Sequence, residues 1–244
     1  MLVRLIEWIL PCIIGVMVHN REKLTEGEVA VRSDLLHGLG LPLDPVKSPV
    51  IVAIIGLVGS GKSAVAKWLA EPIGAMIVSG DQIRSELREA GERYEHTRAI
   101  AEDVALEAVL RGFNVILDSD FIDSAKRASI REKARKAGVR LEFICTYCDL
   151  DVMIGRILGN DPGEFFNRAS SRFGLPEGSV ENGRVVKLRE MIRRLPHHYR
   201  WSRKGGGRWE IKKPPCKVLA DIDTTNSDGR WRGDLDKLAD KLLR

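Results

Sequence analysis

The eight residues Gly56-Leu-Val-Gly-Ser-Gly-Lys-Ser63 narrow what this chain can become more than any other stretch. They satisfy G-x-x-x-x-G-K-[ST] and follow Val50–Ile55, an apolar, largely β-branched run of the kind buried on both faces of a parallel sheet. They lead into Lys62–Ala70, which reads as a helix. Glycines at 56, 59 and 61 let the backbone bend so that successive amides, through Ser60 and on to Ala64, face inward at a helix N-terminus and form an anion nest. Lys62 is placed to reach the β- and γ-phosphates of a nucleotide, and the Ser63 hydroxyl to ligate Mg²⁺.

The same kind of buried run recurs at Ala75–Val78, Asn114–Leu117, Leu141–Tyr147 and Lys217–Ile222, giving five strands. Helices are expected between them at Ile83–Ala90, Tyr94–Arg111, Ser124–Ala137 closed by Gly138, and Leu150–Leu158 opened by Asp149. Strands that alternate with helices mean βαβ units and an α/β fold with a parallel sheet. The prolines and glycine of 40–50 form a first boundary. The chain divides into an N-terminal helical extension and linker (1–47), a core (48–158), a lid insertion (159–215), and a last strand and helix of the core (216–244).

Two acidic constellations follow the second and third strands. Asp81 and Arg84 stand three apart at a helix start and share one face. The acid can orient or deprotonate an acceptor hydroxyl, and the arginine can clamp an anionic group of the acceptor. The plainer reading makes Asp81 a helix N-cap and Arg84 a solvated cation. In Val115-Ile-Leu-Asp-Ser-Asp120, Asp118 suits Mg²⁺ and Asp120 is read as facing the acceptor, unless Asp118 merely caps the next helix. Arg168 and Arg172, four apart, fit lid cations that neutralise the transferring phosphoryl group, or else two solvated arginines on an amphipathic helix.

These motifs together resemble the small AAA-type P-loop kinases, a group that includes polynucleotide 5′-hydroxyl kinases, adenylyl-sulfate kinases and zeta-toxin-like sugar-nucleotide kinases. The likeness runs from Val50 to Arg156 and returns at Ile222-Asp-Thr224. It implies a P-loop NTPase three-layer sandwich around a five-stranded parallel sheet, ATP and Mg²⁺ as cofactors, and a phosphotransferase with an alcohol as acceptor. It also implies that Asp81 acts on the acceptor hydroxyl, that Arg84 and Arg127 bind the acceptor, and that Arg156 and Thr224 lie on the nucleotide side. The chain departs from the group in carrying Asp120-Phe121 where many members have Thr-Asn.

Acceptor identity is sought in the basic segment. Between Arg184 and Lys213 there are eleven Lys and Arg against two acids, a net of +9 in a chain whose total is only +5. Arg193, Arg194, Arg200 and Arg203 interleave there with His197, His198, Tyr199, Trp201 and Trp209, a composition suited to single-stranded nucleic acid or simply to a solvated face with its own small core. A polynucleotide 5′-hydroxyl is therefore the leading acceptor and a small sulfated or nucleotide-like metabolite the second. The competing class is a nucleotide-dependent switch or RNA-binding ATPase, and GTP stays open as donor.

Four cysteines in 244 residues do not make a disulfide framework, so a reducing cytoplasm is expected. Cys145-Thr-Tyr-Cys148 reads as two partly buried thiols rather than half of a zinc site, with Cys148 a candidate for a lowered pKa before a helix. The apolar run Trp8–Val18 is 11 residues long, short of the roughly 20 a bilayer needs. It is read as a packed or oligomer-forming helix first, with a peripheral or single-pass membrane anchor as the alternative.

Overall fold

The computed structural model describes residues 24–38, 45–159, 183–226 and 229–243. Its centre is a five-stranded sheet in the order β2 (Ala75–Ser79), β3 (Asn114–Asp118), β1 (Val50–Ile55), β4 (Arg140–Tyr147), β7 (Ala220–Asp223). All four pairings are parallel. Helices α2 (Lys62–Ala70), α3 (Gly80–Glu89), α4 (Thr97–Leu110), α5 (Ser124–Ala137), α6 (Leu150–Gly159) and α8 (Trp231–Leu242) supply the crossovers and the outer layers. The expected α/β sandwich is the fold observed.

Strand β1 explains why the sheet needs cover on both sides. Every residue of it is buried, because alternate side chains point to opposite faces and both are packed. Ile51, Ala53 and Ile55 join the cluster formed with Ile83, Leu87, Ile100, Val104 and Ile130 from α3, α4 and α5. Val50, Val52 and Ile54 join the cluster of Val65, Leu69, Leu235, Leu238 and Leu242 from α2 and α8. A third cluster, Leu57, Cys148, Met153, Ile157, Met191 and Tyr199, packs the glycine-rich loop against α6 and against the chain that follows residue 182.

Several boundaries differ from the sequence expectations for local reasons. Helix α3 begins at Gly80 rather than Ile83, because the Ser79 hydroxyl accepts from the amides of Asp81 and Gln82. Helix α4 begins at Thr97 rather than Tyr94, the preceding turn being closed by the Thr97 hydroxyl on the Tyr94 carbonyl at 2.8 Å. The last strand begins at Ala220, not Lys217. Leu219 N donates to the Phe143 carbonyl at 2.7 Å, while Lys217, Val218 and Leu219 line an open cleft beside α5 instead of extending the ladder. Helix α6 is opened as expected, with Asp149 accepting from Asp151 N at 2.9 Å.

Four elements have no bounds of their own in the sequence reading. Helix α1 (Glu26–Gly38) packs on α3 and α4. Thr25 and Glu28 form a reciprocal capping box, with Glu28 N to the Thr25 hydroxyl at 3.2 Å and Thr25 N to the Glu28 carboxylate at 2.9 Å. In the basic segment, α7 (Gly183–His198) leads into an antiparallel hairpin, β5 (Tyr199–Ser202) and β6 (Arg208–Ile211), turned through Lys204–Gly206. The apolar N-terminal run, Arg168 and Arg172 lie outside the described residues. No helix among the described residues is long and apolar enough to cross a membrane.

Asn114 staples the opening of the sheet: its side-chain oxygen accepts from Val50 N at 3.0 Å and its amide donates to the Ile73 carbonyl at 2.6 Å. Asn114→Ala leaves two buried main-chain groups unsatisfied, and the expected loss is about 2–4 kcal/mol of stability in urea unfolding.

Candidate active site

The loop after β1 is shaped by contacts on its outer side. Gly61 takes a positive φ of 84°, and a Cβ there would stand 2.8 Å from the Thr224 hydroxyl oxygen. Gly56 has no room for a side chain either, because a Cβ would meet the Thr146 hydroxyl at 2.2 Å. The Ser60 hydroxyl is buried against that of Thr146 at 2.8 Å, so its main chain, not its side chain, belongs to the nest. Ser63 and Ala64 are exposed in the first turn of α2, a helix with no side-chain N-cap. Its uncapped amides and partial positive charge are what an anion meets there.

Two residues far along the chain hold this loop. The Thr224 hydroxyl donates to the Ser60 carbonyl at 2.9 Å, and Thr224 N to the Tyr147 carbonyl at 2.9 Å. Arg156 donates to the Thr224 hydroxyl at 2.9 Å and to the Gly59 carbonyl at 3.3 Å, and also reaches the Thr224 carbonyl. Both were expected on the nucleotide side. They lie beside the loop, bonded to its backbone, to each other and to the end of β4 at Tyr147 and Cys148. Lys62 folds back on the Leu57 carbonyl at 3.0 Å.

Asp81 and Arg84 form an ion pair on the exposed first turn of α3. Ser79 caps that helix, so capping does not account for Asp81. Asp118 ends β3 opposite Ser79 in the β2–β3 register, and the following helix α5 is capped by Asp123, so Asp118 is not its cap either. Ser63 and Asp118 thus offer a hydroxyl and a carboxylate at the same end of the sheet. This all-oxygen set suits a Mg²⁺ ion that keeps several waters and takes its other ligands from phosphate.

Asp120 is the most heavily bonded acid at this edge. One carboxylate oxygen accepts from Gly56 N at 3.3 Å and Ile122 N at 3.0 Å. The other accepts from Arg194 at 2.8 Å and faces His198 Nε2 at 3.1 Å, both on α7. Burial alone would raise its pKa, but the His198 hydrogen bond and charge, with Lys62 and Arg194, outweigh that and hold it at about 2 against an ordinary 3.8. Lys126 stands next to it, donating to the Asp120 main-chain carbonyl at 3.4 Å. Burial first, then the like charges of Arg194 and Arg84, pull its ammonium below the ordinary value against Asp120 and Asp123.

Arg127, expected on the acceptor, instead points inward. It is 6% exposed and donates to the main-chain oxygens of Phe121 and Ile122. Its shape fixes the loop that carries Asp120. The basic segment is also largely spoken for: Arg193 pairs with Glu190, Arg194 with Asp120, and Arg200 and Arg208 with Glu210. Tyr199 is buried, donating to the Cys148 carbonyl at 2.7 Å. Trp201 and Trp209 remain 53% and 43% exposed, packed edge-to-face across the hairpin at 5.4 Å. Cys145 and Cys148 are both buried and free, in different clusters. Burial pushes the Cys148 thiol up despite Arg156, the reverse of the lowered pKa expected before a helix.

Sequence reading missed Lys126 and the turn of Arg194 and His198 toward Asp120. The signal was present, since positions four apart on a helix share a face. The composition of the segment suggested an outward-facing surface, and the carboxylate that draws them inward is 74 residues from Arg194.

Two outcomes are expected. Gly61→Ala combines a forced positive φ with a clash on Thr224, and should weaken nucleotide binding more than tenfold by calorimetry. Because the folded pKa of Asp120 is depressed, its contribution is present above about pH 4 and is lost as pH falls toward about 2. It amounts to about 2 kcal/mol. Asp120→Asn should therefore be less stable than wild type at neutral pH and show a flatter loss of urea stability between those pH values.

Residues 51–159 match the family described as AAA domain. A Mycobacterium tuberculosis (strain H37Rv) protein described as uncharacterized is 32% identical over 122 residues, covering 43% of this chain and 24% of that protein. The chain spans about a quarter of the length of the curated relatives it matches. Among solved structures, APE1195 is 20% identical with a TM-score of 0.53, covering 82% of this chain and 100% of that one. A provisionally named kinase from Chloroflexus aurantiacus is 16% identical with a TM-score of 0.52, covering 81% and 100%. The AAA-domain match over residues 51–159 and the shared parallel sheet agree, and the chain has the α/β fold of these solved structures.

Proposed function

We propose that the protein is a Mg·ATP-dependent phosphotransferase that moves the γ-phosphoryl group to an acceptor hydroxyl. The observation that carries this reading is Asp81. Its carboxylate is exposed at the start of α3 and is not consumed as the helix cap, which Ser79 provides. It follows β2 directly, as the nest follows β1, so both stand at the carboxyl ends of parallel strands. A triphosphate in the nest and a hydroxyl beside Asp81 would then approach each other across that edge, where ligands of open α/β sheets bind.

Within this reading Lys62 leaves the Leu57 carbonyl to neutralise the β- and γ-phosphates, and Arg156 and Thr224 keep the loop rigid behind it. Ser63 and Asp118 would hold Mg²⁺, which when bound supplies charge neutralisation and orientation of the phosphates. Asp81 orients the acceptor hydroxyl and takes its proton, while Arg84 steadies both Asp81 and the acceptor. Arg168 and Arg172 remain the proposed lid cations. A polynucleotide 5′-hydroxyl is the acceptor favoured by one specific feature, the exposed Trp201–Trp209 pair on a hairpin that also carries Arg203 and Lys204. Against it, most of the neighbouring arginines are already paired within the chain, so a small acceptor is the second reading.

The test is transfer of labelled γ-phosphate from ATP with Mg²⁺ to 5′-hydroxyl oligonucleotides, adenylyl sulfate, and a set of nucleosides and sugar nucleotides. Label is expected on one pool and absent with Lys62→Ala. Asp81→Asn should lower kcat by about 10²–10⁴-fold while affinity for a non-hydrolysable ATP analogue changes less than about twofold. Release of free phosphate alone, unchanged in Asp81→Asn, would establish a nucleotide-dependent switch instead.

A further inference from the structure

Strand β1 lies between β3 and β4, and the end of α7 spans the loop that follows it. On the β3 side, Arg194 donates to the Asp120 carboxylate at 2.8 Å, and His198 Nε2 lies 3.1 Å from the same oxygen. On the β4 side, the Tyr199 hydroxyl donates to the Cys148 carbonyl at 2.7 Å and accepts from Cys148 N at 3.2 Å. Between these anchors Met191 shares a buried cluster with Leu57, the second residue of the glycine-rich loop. The span is tied in turn to the hairpin, where Lys212 N donates to the His198 carbonyl at 2.8 Å. The end of α7 is therefore fastened across the entrance of the loop, through residues that the transfer reaction does not use.

Asp120 connects this span to the loop itself. Its other carboxylate oxygen accepts from Gly56 N at 3.3 Å and from Ile122 N at 3.0 Å. Asp120 and His198 are 8% and 6% exposed, and a carboxylate at that depth keeps its charge only where cations and donors compensate it. Half of that compensation comes from α7, and the carboxylate it sustains fixes the first peptide of the loop. Both ends of the relay stand where the chain is least like the kinases it resembles. Asp120 opens the Asp-Phe pair in which it departs from them, and α7 lies beyond the matched residues 51–159.

We propose that Arg194 and His198 are positioning residues for nucleotide binding: by compensating Asp120 they let it hold Gly56 N, so that α7 and the phosphate-binding loop are energetically coupled. This rests on the nucleotide-binding part of the function proposed above and is independent of the acceptor. Linkage makes the coupling reciprocal, so that if α7 strengthens nucleotide binding, bound nucleotide strengthens the hold on α7 by the same factor. An ion pair that served the fold alone would stabilise the free protein and give bound nucleotide no particular effect on α7.

The experiment uses full-length protein, with calorimetric titration of a non-hydrolysable ATP analogue in Mg²⁺ and amide hydrogen exchange with and without it. In the wild type the analogue should slow exchange in α7 by about threefold or more beyond any slowing in the remote helix α1, and the excess should largely vanish in Asp120→Asn. Arg194→Gln should weaken analogue binding about tenfold and His198→Ala about fivefold. Arg194→Lys should retain most of the affinity, and Arg135→Gln, on an exposed arginine paired with Glu132, should not change it. In the Asp120→Asn background, Arg194→Gln should alter affinity less than about twofold, because no buried charge is left to compensate. The exchange comparison needs only wild type and Asp120→Asn, so it decides the question even where Arg194→Gln is too unstable to titrate. Analogue binding without excess slowing in α7, slowing that is as large in Asp120→Asn, or an Arg194→Gln effect that is the same with and without Asp120 overturns the coupling and leaves the nucleotide reading intact. Failure of the analogue to bind the wild type overturns both.

Discussion

Strand β1 has no exposed face, and its backbone groups can be satisfied only in the ladders with β3 and β4. A slip of one residue would swap the side chains committed to the two core clusters, so the register is set by packing. With Ala53 opposite Leu117, Gly56 and Asp120 lie three residues further along their strands and come level. The bond from Gly56 N to the Asp120 carboxylate, and that from Phe121 N to the Ile54 carbonyl, follow from this alignment. The site is thus assembled by the same burial that makes the sheet.

Around that alignment the loop is held from two sides. Thr224 and Arg156 tie the Gly59 and Ser60 carbonyls to the strand end next to β7. Asp120 ties Gly56 to the other side and brings in Arg194 and His198. In the proposed function, a backbone held this way would pay little reorganisation on binding phosphate, so a glycine-rich sequence can still be preorganised.

The strands and the crossover helices were legible because each repeats a local pattern: a short apolar run, then a helical period, with a cap or glycine at the break. The glycine-rich loop was legible for the same reason. Helix α1 carried its own signal in Thr25 and Glu28, which was overlooked beside the more apolar run ahead of it. Spacing alone puts Asp81 and Arg84 on one helix face, where the structure pairs them, but the cap is Ser79, a residue whose hydroxyl role depends on where the strand stops.

What could not be read locally was the direction a charged side chain takes. Arg127 and Lys126 are neighbours on α5, yet one turns into the core to hold the Phe121 and Ile122 carbonyls while the other faces Asp120. Arg194 and His198 looked like part of an outward basic surface and instead close on a buried carboxylate. Periodicity and loop chemistry are short-range properties, so residues 50–63 specify a strand, a nest and a helix without reference to the rest of the chain. Which arginine meets which acid is decided by desolvation: a buried carboxylate must be compensated, and only the assembled tertiary structure determines which cations are near enough to do it.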